Sequence, residues 1–290
     1  MPTSLVTGGA GFIGSHIVDA LIAKKHKVQI LDDFSSGSLV NIAHISEDKV
    51  EVLNGNIYDK ETVNIAVEGV DYIFHEAAQT SAVESIKNPA KTWDVNIKGT
   101  KLLLNAAVTN KVKKVVIASS ANIYGNDPQL PKKEDMNAKP ATPYGESKLM
   151  DEIMAGQYYE KERLRTVCLR YFNVYGPRQS PDSEYSGVIS KFIKIMARGE
   201  RPVIYGDGKQ TRDFVYISDV VDANLHEIVS TINEILGTSL EAGYDLERTG
   251  DIRRSVADIS KARTLLGFEP KCGLKEGLVK TIEWFRNKSS

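Results

Sequence analysis

The chain has 290 residues, of which 41% are hydrophobic and 26% charged, and its net charge is −1. That is enough chain for one large domain, or for a large domain with a smaller lobe. It carries neither the basic excess of a nucleic-acid binder nor an apolar run long enough to span a membrane, so no nucleic-acid or membrane partner is expected. Two cysteines, Cys168 and Cys272, are too few for a disulfide framework and fit a reducing compartment. The expectation is a cytoplasmic protein with no leader and no metal site.

In chain order, "SLVTG" predicts a first strand and "FIGSHIVDALIAKK" a helix with apolar residues at Ile13, Ile17, Leu21 and Ile22. "KVQILDD", "VEVLNGN" and "VDYIFHEAA" read as the next three strands. A helix through "KTWDVNIKGTKLLLNAAVTN" leads to a fifth strand, "KKVVIASS". The helix "PYGESKLMDEIMAGQYYEKE" leads to a sixth, "RTVCLRYFNVYG". Strands that alternate with helices and are apolar on both faces predict an α/β fold, a doubly wound parallel sheet. After Gly176 the pattern loosens into a polar loop, the helical "VISKFIKIMARGE", a mixed stretch, and two short helices split by Pro-Lys-Cys-Gly. The expected domains are residues 1–176 and a smaller α/β substrate-binding lobe at 177–290, forming one wall of a cleft at the carboxyl ends of the strands.

"TGGAGFIGSH" follows the first strand and opens the first helix. Gly9, Gly11 and Gly14 fit G-x-G-x-x-G, and Gly8, Gly11 and Gly14 fit G-x-x-G-x-x-G. Glycines permit the tight turn and let backbone amides approach a pyrophosphate, which the positive end of the helix favours. Taken alone, such a triplet is equally a structural strand-to-helix turn. Here Asp32 ends the second strand, where a carboxylate accepts both hydroxyls of an adenine ribose and repels a 2′-phosphate. The reading is a dinucleotide site that favours NAD over NADP. Asn56 and Ile57, after the third strand, are assigned to the adenine, although "NGN" is also an ordinary turn.

"YGESK" places Tyr144 and Lys148 four residues apart, on one face of a helix. The spacing is common by chance, and two solvated polar residues would satisfy it. Following a nucleotide cradle and a strand that ends in serine, it gains a chemical meaning. An ammonium beside a phenol lowers the phenol's pKa, so Tyr144 serves as a base near neutral pH while Ser120 hydrogen-bonds the reacting hydroxyl. The plainer role of strand-end serines, capping backbone groups, is assigned to Ser119.

These motifs, with "HEAAQ", "DVNIKGT", "SSANIYG", "LRYFNVYGPRQ", "IYGDGKQTRDFVYISDVV" and "RTGDIRRSVADISKA", resemble the extended short-chain dehydrogenase/reductase superfamily. Within it they are similar to nucleotide-sugar 4-epimerases of the UDP-galactose (UDP-glucose) 4-epimerase type, over nearly the whole chain. The resemblance implies a Rossmann-type NAD domain and a homodimer formed through the helices beginning near Pro89 and Pro143. It implies NAD contacts from Phe12, Ile13, Asp32, Ala77, Ala78, Gln79, Asn96, Tyr144, Lys148 and Phe172. It assigns Asn173, the backbone of Gly187 and Val188, and Tyr205, Arg212, Arg248 and Asp251 to the nucleotide-sugar substrate. Each arginine is otherwise a surface ion pair; the guanidinium fork suits a diphosphate because it binds two oxygens at once.

Relatives share an opening step in which the tyrosine takes the 4-hydroxyl proton while NAD takes the hydride. Sugar 4,6-dehydratases and decarboxylases of this superfamily then need acidic residues just after the serine or threonine. Here Ala121 and Asn122 stand there, and neither exchanges a proton at neutral pH. The expected chemistry stops at the 4-keto sugar, which rotates and is reduced on its other face, so NAD is regenerated each cycle. The alternatives are a dehydratase, decarboxylase or 4-keto reductase, and a non-catalytic nucleotide sensor of the same fold. By alignment Ser255 falls where members that exclude N-acetyl groups carry a bulky aromatic, so 2-acetamido sugars are expected to fit. One departure stands out: after residue 228 the chain lacks a strand and a Gly-Thr-Gly turn that such relatives have.

Overall fold

The computed structural model describes residues 1–180, 188–205, 210–225, 243–245, 255–266 and 271–288. They cluster into two compact units, one within residues 1–123 and 140–171, the other within 124–139 and 172–290. The stretch after residue 228 lies outside the described residues.

The first unit runs β1 (Thr3–Thr7), α1 (Phe12–Ala23), β2 (Lys27–Asp32), β3 (Val50–Asn54), α2 (Lys60–Val67), β4 (Tyr72–His75), α3 (Ala82–Lys87) and α4 (Pro89–Thr92). It continues with α5 (Gly99–Thr109), β5 (Lys114–Ser120), α6 (Pro143–Glu162) and β6 (Thr166–Tyr171). The six strands form one parallel sheet in the order β3-β2-β1-β4-β5-β6. This is the Rossmann order, and it reverses between β1 and β4, where ligands of such sheets bind. The inner strands are apolar because both their faces are covered, whereas the edge strand β3 is partly exposed. Val63 and Val67 of α2, Leu103, Leu104 and Ala107 of α5, and Met154 and Ala155 of α6 share one core cluster with Leu5, Ile73, Val115 and Ile117. α1 gives nothing to that cluster and separately buries Ile17, Val18 and Leu21.

The helices start where the sequence supplies a cap. Thr142 Oγ1 accepts the Gly145 N–H at 3.2 Å, and Pro143 opens α6. Asp59 caps α2 by accepting the Thr62 N–H at 2.9 Å. Two sequence expectations change. The helix expected over residues 91–110 is interrupted by a π-helical turn at Trp93–Lys98. The run "RTVCLRYFNVYG" is two strands, because β7 (Asn173–Tyr175) leaves the main sheet and belongs to the second unit.

That second unit holds α7 (Val188–Ala197), β8 (Val203–Tyr205), β9 (Phe214–Tyr216), α8 (Ile217–Leu225), β10 (Gly243–Asp245), α9 (Ser260–Leu266) and α10 (Leu274–Lys288). β7 pairs with β9 and β8 with β10, both in parallel. Tyr175, Val215, Tyr216, Val220, Leu278 and Ile282 are among its buried residues, with the Tyr175 and Tyr216 rings 5.3 Å apart. α10 has 15 residues, longer than the short helix expected. Among the described residues no helix is long and apolar enough to cross a membrane.

Candidate active site

Most of the predicted residues gather at the carboxyl ends of the strands in the first unit. Gly8 has φ +69°, and a Cβ there would lie 2.8 Å from the Ala77 N, so only glycine lets β1 and β4 close up at the point of reversal. A Cβ on Gly14 would lie 2.1 Å from the Gly8 carbonyl oxygen. The first turn of α1, carrying Phe12 and Ile13, begins at Gly11 with no side-chain cap and no acidic residue. Its amides and its positive end are left to an anion.

Asp32 is buried, and each of its oxygens already accepts one backbone N–H, from Ala10 to Oδ2 and from Phe34 to Oδ1, both at 2.9 Å. Burial raises its pKa, and those two amides oppose the rise. A carboxylate has about four acceptor positions, so two remain for a ribose diol. Gly37, which sequence reasoning missed, keeps that side open: a Cβ there would lie 2.8 Å from Oδ1. Ile57, by contrast, is buried, and a Cβ at Gly99 of α5 would meet it at 2.7 Å. Asn56 stands beside it in the turn after β3, where its carbonyl accepts the Asp59 N–H at 3.1 Å.

The π-helical turn places Asn96 against the loop after β4. Its Oδ1 accepts the Gln79 N–H at 2.8 Å, and its Nδ2 donates to the Gln79 carbonyl at 3.1 Å and to Ser147 Oγ at 2.8 Å. Asn96 therefore fastens the Ala77-Ala78-Gln79 loop to α6 between Tyr144 and Lys148. Among the described residues Gln79 Oε1 is buried with no hydrogen-bond partner, an acceptor open to a donor. The glycine cradle, the uncapped helix, the ribose-ready carboxylate and this orphan acceptor together fit NAD.

β5 delivers Ser119 and Ser120 to opposite faces, as neighbours on a strand must be. Ser119 Oγ donates to Glu152 Oε1 on α6 at 2.6 Å, and Arg170 grips the same carboxylate through Nε at 2.8 Å and Nη2 at 2.7 Å. Ser120 Oγ accepts the Asn122 backbone N–H at 3.2 Å and its Nδ2 at 3.1 Å. The capping role assigned to Ser119 thus falls on Ser120, because the chain turns directly after it into a 3-10 helix at Ala121–Tyr124. Tyr144 is buried in the first turn of α6, its N–H donating to Ser85 Oγ at 3.1 Å. Gly145 lets that turn reach Asn122, since a Cβ there would lie 2.8 Å from the Asn122 carbonyl oxygen. Lys148 Nζ sits 3.0 Å from Asp151 Oδ2, both side chains almost wholly buried. Burial works against the ammonium, but Asp151, Tyr144 and Glu76 outweigh it and hold the Lys148 pKa above its ordinary value. Asp151 was not picked out in the sequence, although its spacing of three from Lys148 on a helix was visible there.

Glu76 was also missed. In parallel register β4 places it beside Ala118 of β5, on the face that carries Ser120 and Tyr171, and Tyr171 Oη donates to Glu76 Oε1 at 3.0 Å. Desolvation pushes the Glu76 pKa up to about 7, against the Tyr171 hydrogen bond and the Lys148 charge. His75, on the other face, is held between Thr7 Oγ1 at 2.7 Å and Thr100 Oγ1 at 2.9 Å, and burial drives its pKa down to about 3, so it stays neutral. A carboxyl with a raised folded pKa binds its proton more tightly in the folded chain. Its contribution is therefore present below the unfolded value of 4.5 and is lost as pH rises through about 7. Glu76→Gln keeps an acceptor for Tyr171 and removes that loss. The expected result is a higher Tm than wild type at pH 8, worth up to about 3 kcal/mol, with the two chains equal near pH 4.5. Equal Tm values at pH 8 would contradict the raised pKa of this half-buried carboxyl.

The second unit supplies Phe172, whose ring lies 6.4 Å from that of Tyr124, and Asn173, whose Nδ2 donates to the Asp213 carbonyl at 2.9 Å. Val188 opens α7 and is exposed, and Tyr205 ends β8. Arg212 Nη1 donates to the Thr211 carbonyl at 3.1 Å, and Ser255 is buried, with its N–H on the same carbonyl at 3.1 Å. Gly187, Arg248 and Asp251 lie outside the described residues.

Residues 4–234 match the profile of the NAD dependent epimerase/dehydratase family. The chain belongs to that family. It is 39% identical to the UDP-glucose 4-epimerase of Mycolicibacterium smegmatis, over 99% of each chain. It superposes with a TM-score of 0.91, at 37% identity and over 99% of each chain, on the UDP-N-acetylglucosamine 4-epimerase of Methanobrevibacter ruminantium, solved with UDP-N-acetylmuramic acid. It is 33% identical to the UDP-glucuronic acid decarboxylase 1 of Xenopus tropicalis, over 98% of this chain and 72% of the other. Family membership makes NAD the cofactor.

Proposed function

We infer that the protein is an NAD-dependent isomerase that inverts a UDP-hexose at carbon 4, interconverting UDP-galactose and UDP-glucose. The observation that supports this reading is that the residue bonded to Ser120 is the amide Asn122, while on α6 the charge of Lys148 is favoured by Asp151 and Tyr144. NAD, when bound, carries a hydride that the sugar gives up and takes back. Tyr144 accepts the 4-hydroxyl proton and later returns it. Lys148, kept charged by Asp151, favours the phenolate. Ser120 hydrogen-bonds the 4-oxygen. The two positions directly after Ser120, Ala121 and Asn122, carry no carboxylate to take the keto sugar onward to loss of water or carbon dioxide, and the Glu76 carboxyl on the Ser120 face is engaged by Tyr171. Within the first unit Gly8, Gly11, Phe12, Ile13, Gly14, Asp32, Ala77, Ala78 and Gln79 hold the cofactor in this reading.

The experiment is incubation with UDP-galactose, with and without added NAD, followed by separation of the products. UDP-glucose with no net NADH supports the reading; a pentose or a 4-keto-6-deoxy sugar from any UDP- or dTDP-sugar replaces it with the decarboxylase or dehydratase. Ser255, small and buried, is proposed to leave room for a 2-acetamido group. In the same assay Ser255→Tyr is expected to lose UDP-N-acetylgalactosamine and spare UDP-galactose. Equal loss on both counts against the size argument.

We also propose a homodimer through α4 and α6 with their neighbours. Trp93, in the π-helical turn that follows α4, and Met150 and Ile153 of α6 are 38%, 38% and 44% exposed, apolar side chains that a second copy would cover. Sedimentation at twice the chain mass, reduced to one chain mass by Ile153→Glu, is the expected result. A cytoplasmic location fits the two free thiols, of which Cys168 is pushed up to about 12 by burial; cell fractionation tests it.

A further inference from the structure

A serine hydroxyl offers one proton and two lone pairs. At Ser120 both lone pairs are occupied by one residue, the Asn122 backbone N–H at 3.2 Å and Nδ2 at 3.1 Å. Among the described residues this hydroxyl makes no other hydrogen bond. A hydroxyl whose acceptor positions are filled is left to donate. The backbone bond comes with the turn and survives most substitutions. The side-chain bond exists only because residue 122 carries an N–H.

The donor setting matters because the sugar oxygen changes character during the reaction. As a hydroxyl it gives its proton to Tyr144; as a ketone oxygen it can only accept. A Ser120 that accepted from the hydroxyl would lose its bond at the keto stage, when the oxygen carries developing charge and most needs a donor. A carboxylate of the same shape at 122 accepts only, and draws the Ser120 proton toward itself.

We propose that Asn122 is a positioning residue that locks Ser120 as a hydrogen-bond donor to the sugar 4-oxygen, through its two N–H bonds to Ser120 Oγ. The inference rests on the epimerase reading and adds a reason for the amide at this place: beyond lacking an acid, it sets the direction of the serine proton.

The test compares wild type, Asn122→Asp and Asn122→Ala in the UDP-galactose assay from pH 5.5 to 8.5, with NAD titration and Tm as checks on the cradle and fold. At pH 8, Asn122→Asp is expected to lose about a hundredfold in kcat with KM within about threefold, as for removal of one donor from a reacting oxygen. Asn122→Ala loses about tenfold, the scale of one hydrogen bond. The ratio of Asn122→Asp to wild type rises as pH falls, because a protonated carboxyl donates again. NAD affinity is unchanged. An Asn122→Asp chain within about threefold of wild type at pH 8, or a deficit that is flat with pH, overturns the proposal, since the amide oxygen would then face Ser120. If Asn122→Asp fails to fold, an Asn122→Ala chain with wild-type kcat overturns it. A wild type that interconverts no UDP-sugar overturns the epimerase reading as well; an active wild type with an unimpaired Asn122→Asp overturns only this inference.

Discussion

Replacing Tyr144 by Phe is expected to lower epimerase turnover by at least about a thousandfold while leaving Tm unchanged. The substitution removes one oxygen. The ring stays buried at the start of α6, and the backbone bond from its N–H to Ser85 Oγ is untouched. Lys148 keeps its charge partner, because the ammonium is held at 3.0 Å by Asp151 and not by the phenol alone. What disappears is the group that takes the sugar proton in the proposed mechanism, and general acid–base catalysis is worth about 10²–10⁴ by itself. The obvious companion, Lys148→Met, reads less cleanly: it strands the buried Asp151, and breaking a buried pair costs about 3–5 kcal/mol in stability. A Tyr144→Phe chain with more than about a tenth of wild-type turnover would mean that the proton goes elsewhere.

Gly14→Ala is expected to abolish measurable NAD binding and to lower stability by about 2–4 kcal/mol, because a single methyl meets backbone on three sides. The added Cβ would stand 2.1 Å from the Gly8 oxygen, 2.8 Å from the Gly8 carbonyl carbon and 2.9 Å from the Gly9 Cα. None of these atoms can swing aside as the end of a side chain can. The turn must lift from α1, which carries the anion-ready amides away from β1 and disturbs Gly8, itself within 2.8 Å of Ala77 were it to carry a Cβ. Gly156→Ala is the control: it lies in α6 with nothing within 4 Å, and gains about 0.5–1 kcal/mol from helix propensity. NAD titration and thermal melts of the two variants check both halves. A Gly14→Ala chain that melts and binds like wild type would show that the turn is slack.

The amino-acid sequence by itself determined the kind of fold and where its chemistry starts. The inner strands of the main sheet, such as β4 and β5, carry runs of apolar residues, because a parallel sheet buried on two faces tolerates little else, and such a run is readable without partners. The glycine turn, Asp32 and the Tyr144–Lys148 spacing are local patterns fixed by backbone geometry, so they too are visible in one dimension. Tertiary structure decided what depends on residues far apart in the chain. Strand order puts Gly8 against Ala77, and sheet register puts Glu76 and Tyr171 on the face of Ser120 across 95 positions of sequence. The π-helical turn, invisible in a helical pattern, swings Asn96 onto Gln79 and Ser147. The exit of β7 from the main sheet divides one apolar run between two units, because pairing with β9 competes with continuing beside β5. Asn122 shows the limit most sharply. In the sequence it is the absence of an acid, and only the folded turn, which brings its two N–H groups onto one oxygen, makes it a feature in its own right. Sequence periodicity reports which surfaces are buried; which polar atoms meet is settled by register and turn geometry, which no single segment encodes.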